Sequence, residues 1–210
     1  MLTLIRREIE DNIVHFVVAA LLSALLVFAL WLMWSEQLPN NDPLEMLTIF
    51  VLLVVLVRLC RMGQLHICAE TSRNALVFLC TLPVTRTQLL AAKVITATLV
   101  ILTFGLPPLF ALRFFAYSQP SFGPCLGFER YVWDLTFTLF LLLVGSYCSG
   151  LLSGFNSSRT IRAFGTFVLP LVLALLVLAK GFSLQTYLIL VLFIFAVLLH
   201  VRHRFAAISL

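Results

Sequence analysis

Charge is scarce in this chain: Asp, Glu, Lys and Arg make up 11% of its 210 residues, against about 25% in soluble domains. That scarcity, with a mean hydropathy of +1.10, excludes a soluble globular enzyme, a disordered tail and a nucleic-acid-binding domain. The net charge of +5 does not reopen the nucleic-acid reading, because the basic residues punctuate apolar runs rather than gather in one patch. Five cysteines (Cys60, Cys68, Cys80, Cys125 and Cys148) contain no CxxC pair and no His–Cys ligand spacing. Their odd number, in or beside apolar segments, points to packing residues rather than a disulfide scaffold. No G-x-x-x-x-G-K-S/T phosphate loop occurs, so the chain cannot cradle ATP in the P-loop manner. H-E-x-x-H and G-x-S-x-G elements are also missing, and no His matches the depth of Ser146, Ser149 and Ser153, which argues against an intramembrane hydrolase. The opening Met1 to Asn12 mixes Arg6 and Arg7 with Glu8, Glu10 and Asp11 and precedes no small-residue cleavage site, unlike a signal peptide.

What the chain has in abundance is apolar length. Hydrophobic residues make up 62% of it, about 130 residues, enough for about six spans at ~20 residues each. The expected architecture is a single all-α integral membrane domain over residues 1–210. Its spans read as Ile13 to Trp34, Leu44 into the Arg58–Arg61 region, Val94 to Tyr117, Tyr131 to Phe155, Ala163 to Ala179 and Leu184 to Val201. Trp31 and Trp34 sit where an aromatic belt would lie. The second span has only ~14 apolar residues before Arg58, so the helix is expected to continue past the membrane surface with Arg58 snorkelling. Pro107 and Pro108 inside the third span predict a kink or break, since each removes a backbone donor.

Orientation follows from the cations. Arg6, Arg7, Arg58, Arg61, Arg73, Arg86, Lys93, Arg159, Arg162, Arg202 and Arg204 fall on one side; only Arg113, Arg130 and Lys180 fall on the other. By the positive-inside rule the richer side is cytoplasmic, with both termini inside a plasma (bacterial inner) membrane.

Two segments stand apart from the spans. In residues 1–12, Leu2, Ile5 and Ile9 recur at helical spacing while Arg6, Arg7, Glu10 and Asp11 take the other side. That pattern fits an interfacial amphipathic helix, the alternative being an ordinary membrane-flanking charge cluster. Residues 61–93 form a cytoplasmic loop that is not a solvated linker. Ala75 to Cys80 is strongly apolar, Pro83 ends whatever helix precedes it, and Thr85-Arg86-Thr87-Gln88 matches a capping box that starts a helix into the third span. Such an element offers a docking surface for a partner; the alternative is a re-entrant or interfacial loop that only closes the bundle.

Glu70-Thr71-Ser72-Arg73, the apolar helix, Leu82-Pro83-Val84-Thr85-Arg86, Leu89-Leu90 and Lys93 resemble the cytoplasmic segment of type-2 ATP-binding-cassette (ABC) transporter permeases. In that family an acidic residue with a hydroxyl or glycine opens the segment, a Leu-Pro, small-residue, Ser/Thr-Arg element follows, and a Lys closes it. The resemblance implies the permease subunit of an ATP-driven transporter, read here as an exporter, that dimerises with a second copy or a homologous permease. It implies a separate nucleotide-binding ATPase subunit, which binds ATP and Mg, and a coupling helix between spans two and three. Glu70, Thr71, Arg73, Leu82, Pro83, Thr85 and Arg86 are then the ATPase-coupling residues. The chain departs in having Thr71-Ser72 where Gly-Thr is common. Its short connection between spans five and six argues against the subgroup that inserts re-entrant helices there for polysaccharides.

Other features bear on mechanism. Gly145, Ser149, Gly150 and Gly154, with Ser146 and Ser153, put small residues at four-residue spacing on the fourth span, as close helix packing in lipid requires. Pro107, Pro108 and Pro170 are candidate hinges. A gradient-driven carrier would need ionisable residues deep in the bilayer, whereas Asp134, Arg113 and His200 lie near span ends. A non-catalytic membrane assembly subunit is the remaining alternative. The chain is expected to be no enzyme by itself, to hold no cofactor or metal, and to meet membrane lipid but no nucleic acid. The 19 Phe residues suit a hydrophobic cargo and a lipid-facing surface equally.

Overall fold

The computed structural model describes residues 2–34, 42–71, 86–118, 126–155, 158–181 and 183–207. Leu2–Asp11 forms α1, Ile13–Trp34 α2, Asp42–Thr71 α3, Arg86–Ser118 α4, Leu126–Gly154 α5, Arg159–Lys180 α6 and Leu184–Ala207 α7. No strand occurs among the described residues. Six helices, α2 to α7, are long and apolar enough to cross a bilayer, with candidate spans of 19 to 28 residues; about 20 residues cross the ~30 Å hydrocarbon core. The chain is an all-α integral membrane protein.

The reason for all-helical spans is the lack of water in lipid, which leaves each backbone group to be satisfied within its own segment. Side-chain hydroxyls follow the same rule. Thr96 donates to the Ala92 carbonyl at 3.0 Å, Thr98 to Val94 at 2.8 Å and Thr138 to Asp134 at 2.7 Å, each returning to the preceding turn. At the end of α6, Gly181 adopts φ +66°, a left-handed value that glycine reaches without a Cβ penalty. Its N–H closes the helix on the Val177 carbonyl at 2.9 Å.

Helix α5 is the hub. It packs most extensively on α3 and also on α6, α7 and α4. Helix α2 lies on α4 and less extensively on α3, α6 also meets α3, and α1 lies along α4. Tyr147, Leu143 and Leu151 of α5 are buried with Met62 and Ile67 of α3 and Phe104 of α4. Leu21, Phe50, Phe114, Phe164 and Leu178 point outward, as large apolar residues do where lipid is the solvent.

Three sequence expectations need correction. Helix α4 runs unbroken through Pro107 and Pro108, so there is no break; a span tolerates proline where neighbouring groups re-satisfy the freed carbonyls. The supposed loop 61–93 is helical at both ends, α3 reaching Thr71 and α4 beginning at Arg86. Helices α5, α6 and α7 also overrun the expected spans, α7 carrying the basic tail as far as Ala207. Hydropathy marks the hydrocarbon boundary, whereas a helix ends only where its backbone bonding ends.

Candidate functional site

Polar side chains gather at both ends of the bundle. On α4, Lys93 marks one end and Arg113 the other, twenty positions apart and so about 30 Å along the axis. The Lys93 end holds the denser cluster.

That cluster starts on α1. The helix lies along α4, and Arg6 and Glu10 form an exposed pair at 3.1 Å on its surface. Glu8 turns inward and meets Lys93 Nζ at 3.5 Å, their side chains being 14% and 7% exposed. Asn12 joins α1 to α2: its N–H reaches the Glu8 carbonyl at 3.1 Å, and its own carbonyl accepts from the His15 N–H at 2.9 Å. The buried Asn12 amide donates from Nδ2 to the Glu8 carbonyl at 2.7 Å. With that amide group committed, Oδ1 faces His66 Nε2 at 3.3 Å and must accept from it. The Nε2–H tautomer leaves His66 Nδ1 to accept from the Tyr147 hydroxyl at 3.1 Å.

Lys93, Glu8, Asn12, His66 and Tyr147 thus form one polar chain through α4, α1, α3 and α5. The sequence reading did not single out Glu8, Asn12, His66 or Tyr147. The available signal was a histidine inside the apolar run Met46–Cys68, because a polar residue within a span is costly unless partnered. His66 is buried, and like Asp134, Arg113 and His200 it lies near the end of its span, two positions from Cys68. Beside the cluster, Arg162 Nη1 approaches Cys68 Sγ at 3.2 Å, and the Thr166 hydroxyl donates to Gln64 Oε1 at 2.8 Å.

The small residues of α5 fall into two groups. Gly150 and Gly154 face α3 so closely that a Cβ on Gly150 would stand 2.9 Å from Cys60 Cα, and one on Gly154 2.7 Å from Ile67 Cβ. Gly63 of α3 returns the approach, with Leu151 N at 3.0 Å from its hypothetical Cβ. Ser149 donates to the Ser146 carbonyl at 2.7 Å and lies 3.3 Å from Cys60 Sγ, while Ser146 donates across to the Leu56 carbonyl at 2.5 Å. Gly145 is different: it looks toward Leu173 of α6, whose Cδ1 would be 3.4 Å from an added Cβ.

Of the expected coupling residues, Glu70 and Thr71 close α3 and Arg86 opens α4. Arg73, Leu82, Pro83 and Thr85 lie outside the described residues. Pro107 and Pro108 lie within α4, and Pro170 lies fully buried within α6, lining a recess against Leu53, Leu56 and Val57 of α3. Among the described residues no group of three His, Cys, Asp or Glu side chains is placed to hold a metal.

No protein-family model, no curated protein and no solved structure matches the chain. The likeness to the permease family therefore rests on the motif residues themselves.

Proposed function

We infer that this chain is the transmembrane permease subunit of an ATP-driven ABC transporter, working as an exporter in a plasma (bacterial inner) membrane. Its termini and the segment 61–93 face the cytoplasm, where the cations concentrate. A separate ATPase subunit binds ATP and Mg, and two permease chains, identical or homologous, enclose the pathway. The segment from Glu70 to Arg86 is the handle on which that ATPase acts.

The supporting observation is the position of Lys93. It closes the motif that resembles the family's coupling segment, and it is also the residue that ties α4 to α1 through Glu8. From Glu8 the connection runs through Asn12 and His66 to Tyr147, and so to α3 and α5. A push on the start of α4 is thereby shared among four helices rather than absorbed by one. A rigid element of this kind is what an external motor needs, and the chain carries no phosphate loop of its own.

The test is recovery of a P-loop ATPase with the intact chain in mild detergent, with ATP hydrolysis of the recovered complex as readout. Glu70→Ala and Arg86→Ala are expected to lower recovery or uncouple hydrolysis from transport by about tenfold, the effect of ~1.4 kcal/mol at the contact. Membrane content of the chain stays unchanged. Full recovery and normal transport in both variants would remove the coupling assignment.

A gradient-driven carrier is the second reading, favoured by one observation, the buried ionisable chain through Glu8, Lys93 and His66. Transport by the chain alone in proteoliposomes, abolished by an ionophore, would select it over the ATP-driven reading.

A further inference from the structure

Helices α4 and α5 do not close on one another at the end away from Lys93. A recess of about 200 Å³ lies between Ile101, Gly105 and Leu109 on α4 and Trp133, Phe137 and Phe140 on α5. A second recess of about 160 Å³ continues it toward Arg113. The two share Leu106, Leu109, Trp133 and Thr136, so they form one groove. From Ile101 to Arg113 the groove follows twelve positions of α4, about 18 Å, close to the ~15 Å depth of one hydrocarbon leaflet.

The groove is apolar along its length and charged at its mouth. The Thr136 hydroxyl donates its proton back to the Val132 carbonyl at 2.6 Å and so offers no donor to an occupant. Gly105 leaves open space, since a Cβ there would meet nothing within 4 Å. Arg113 stands at the mouth with its guanidinium carbon 5.0 Å from the Trp133 ring centre, a stacking that fixes the group while leaving N–H donors free to bond. Among the residues whose side chains are described, no carboxylate pairs with Arg113. Asp134, one position beyond Trp133, lies toward α7, its carbonyl accepting from the Tyr187 hydroxyl at 3.3 Å.

We propose that this groove is a binding site for one anionic phospholipid of the surrounding bilayer, its phosphate on Arg113 and an acyl chain laid between α4 and α5 as far as Gly105. The charge complementarity selects the headgroup, because a guanidinium matches phosphate oxygens bidentately. The groove's leaflet depth and dry walls select an acyl chain over a soluble anion. A lipid held there fills the gap that α4 and α5 leave, and the site operates whether an ATPase or a gradient drives the chain.

Tryptophan supplies the probe. The chain has three, Trp31, Trp34 and Trp133, so Trp31→Phe with Trp34→Phe leaves Trp133 as the only tryptophan in the full-length protein, read by excitation selective for indole. This variant is placed in phosphatidylcholine nanodiscs containing rising fractions of phosphatidylglycerol brominated on its acyl chains, with brominated phosphatidylcholine as control. Half-maximal quenching is expected at a fraction of phosphatidylglycerol about fivefold lower than of phosphatidylcholine, as one cation near the membrane surface would give. Arg113→Gln should erase that preference, and Gly105→Leu should weaken quenching by lipids brominated near the acyl terminus. Equal quenching by the two lipids, or a preference that survives Arg113→Gln, overturns the proposal. Absence of quenching by either, with cross-linked dimers, would assign the groove to a second copy of the chain.

Discussion

Helix α5 makes two contacts of opposite character, with α3 on one side and α4 on the other. Toward α3 it presents Gly150, Gly154, Ser146 and Ser149, and the backbones meet so closely that no Cβ fits at Gly150. Toward α4 it presents Trp133, Phe137 and Phe140, and a groove remains between the helices. In lipid, burying apolar side chains gains little over leaving them against acyl chains, so association depends on close packing and interhelical hydrogen bonds. Small residues allow both on the α3 side. Large rings on the α4 side hold the backbones apart, and lipid can fill the remainder as readily as protein. Close packing makes the first contact a fixed frame; the second is where shape can change at little cost.

Glycine substitution breaks this contrast most sharply. Gly150→Val, which must drive its side chain into the Cys60 backbone, is expected to lose about 3 kcal/mol or more, or to prevent accumulation of the folded chain. Thermal unfolding of the purified protein in detergent measures it. An unchanged midpoint would mean that α3 and α5 are not in register as described.

The Lys93 end adds a middle-sized effect. Lys93→Met leaves Glu8 buried beside an apolar side chain and is expected to cost about 2–3 kcal/mol. The double change Glu8→Gln with Lys93→Met should recover at least half of that loss, because both charges are then gone. Denaturant unfolding of the four proteins in the cycle gives the coupling directly, and strict additivity would dissolve the ion pair as a tie between α1 and α4. Smallest of all, Gly105→Leu enters open space in the α4 groove and should change stability by less than about 1 kcal/mol, with gained helix propensity offsetting lost lipid contact. A large destabilisation there would mean that the groove closes in the membrane.

The spans were legible because their cause is local. About twenty apolar residues in a row must be helical in lipid whatever surrounds them, and the expected first span, Ile13 to Trp34, has the bounds of α2. The regular alternation of Leu2, Ile5 and Ile9 with charged residues likewise anticipates the helix Leu2–Asp11. Helix ends beyond the hydrocarbon were misplaced, as at Leu126 and Ala207, because hydropathy falls there while hydrogen bonding continues. The proline pair Pro107-Pro108 misled in the other direction: the missing donors are real, yet α4 continues through them.

The amino-acid order alone determined that this protein spans a membrane six times as helices, and where its cations fall along the chain. Those properties follow from each segment's own encounter with lipid and water. Only the packed bundle decided that Glu8, Asn12, His66, Tyr147 and Lys93 meet, that Gly150 touches Cys60 while Gly105 touches nothing, and that Arg113 stands over a groove. These pairings join residues up to 90 positions apart in the chain. They depend on which face each helix turns to its neighbours, and nearly uniform apolar segments carry almost no periodic signal of that choice.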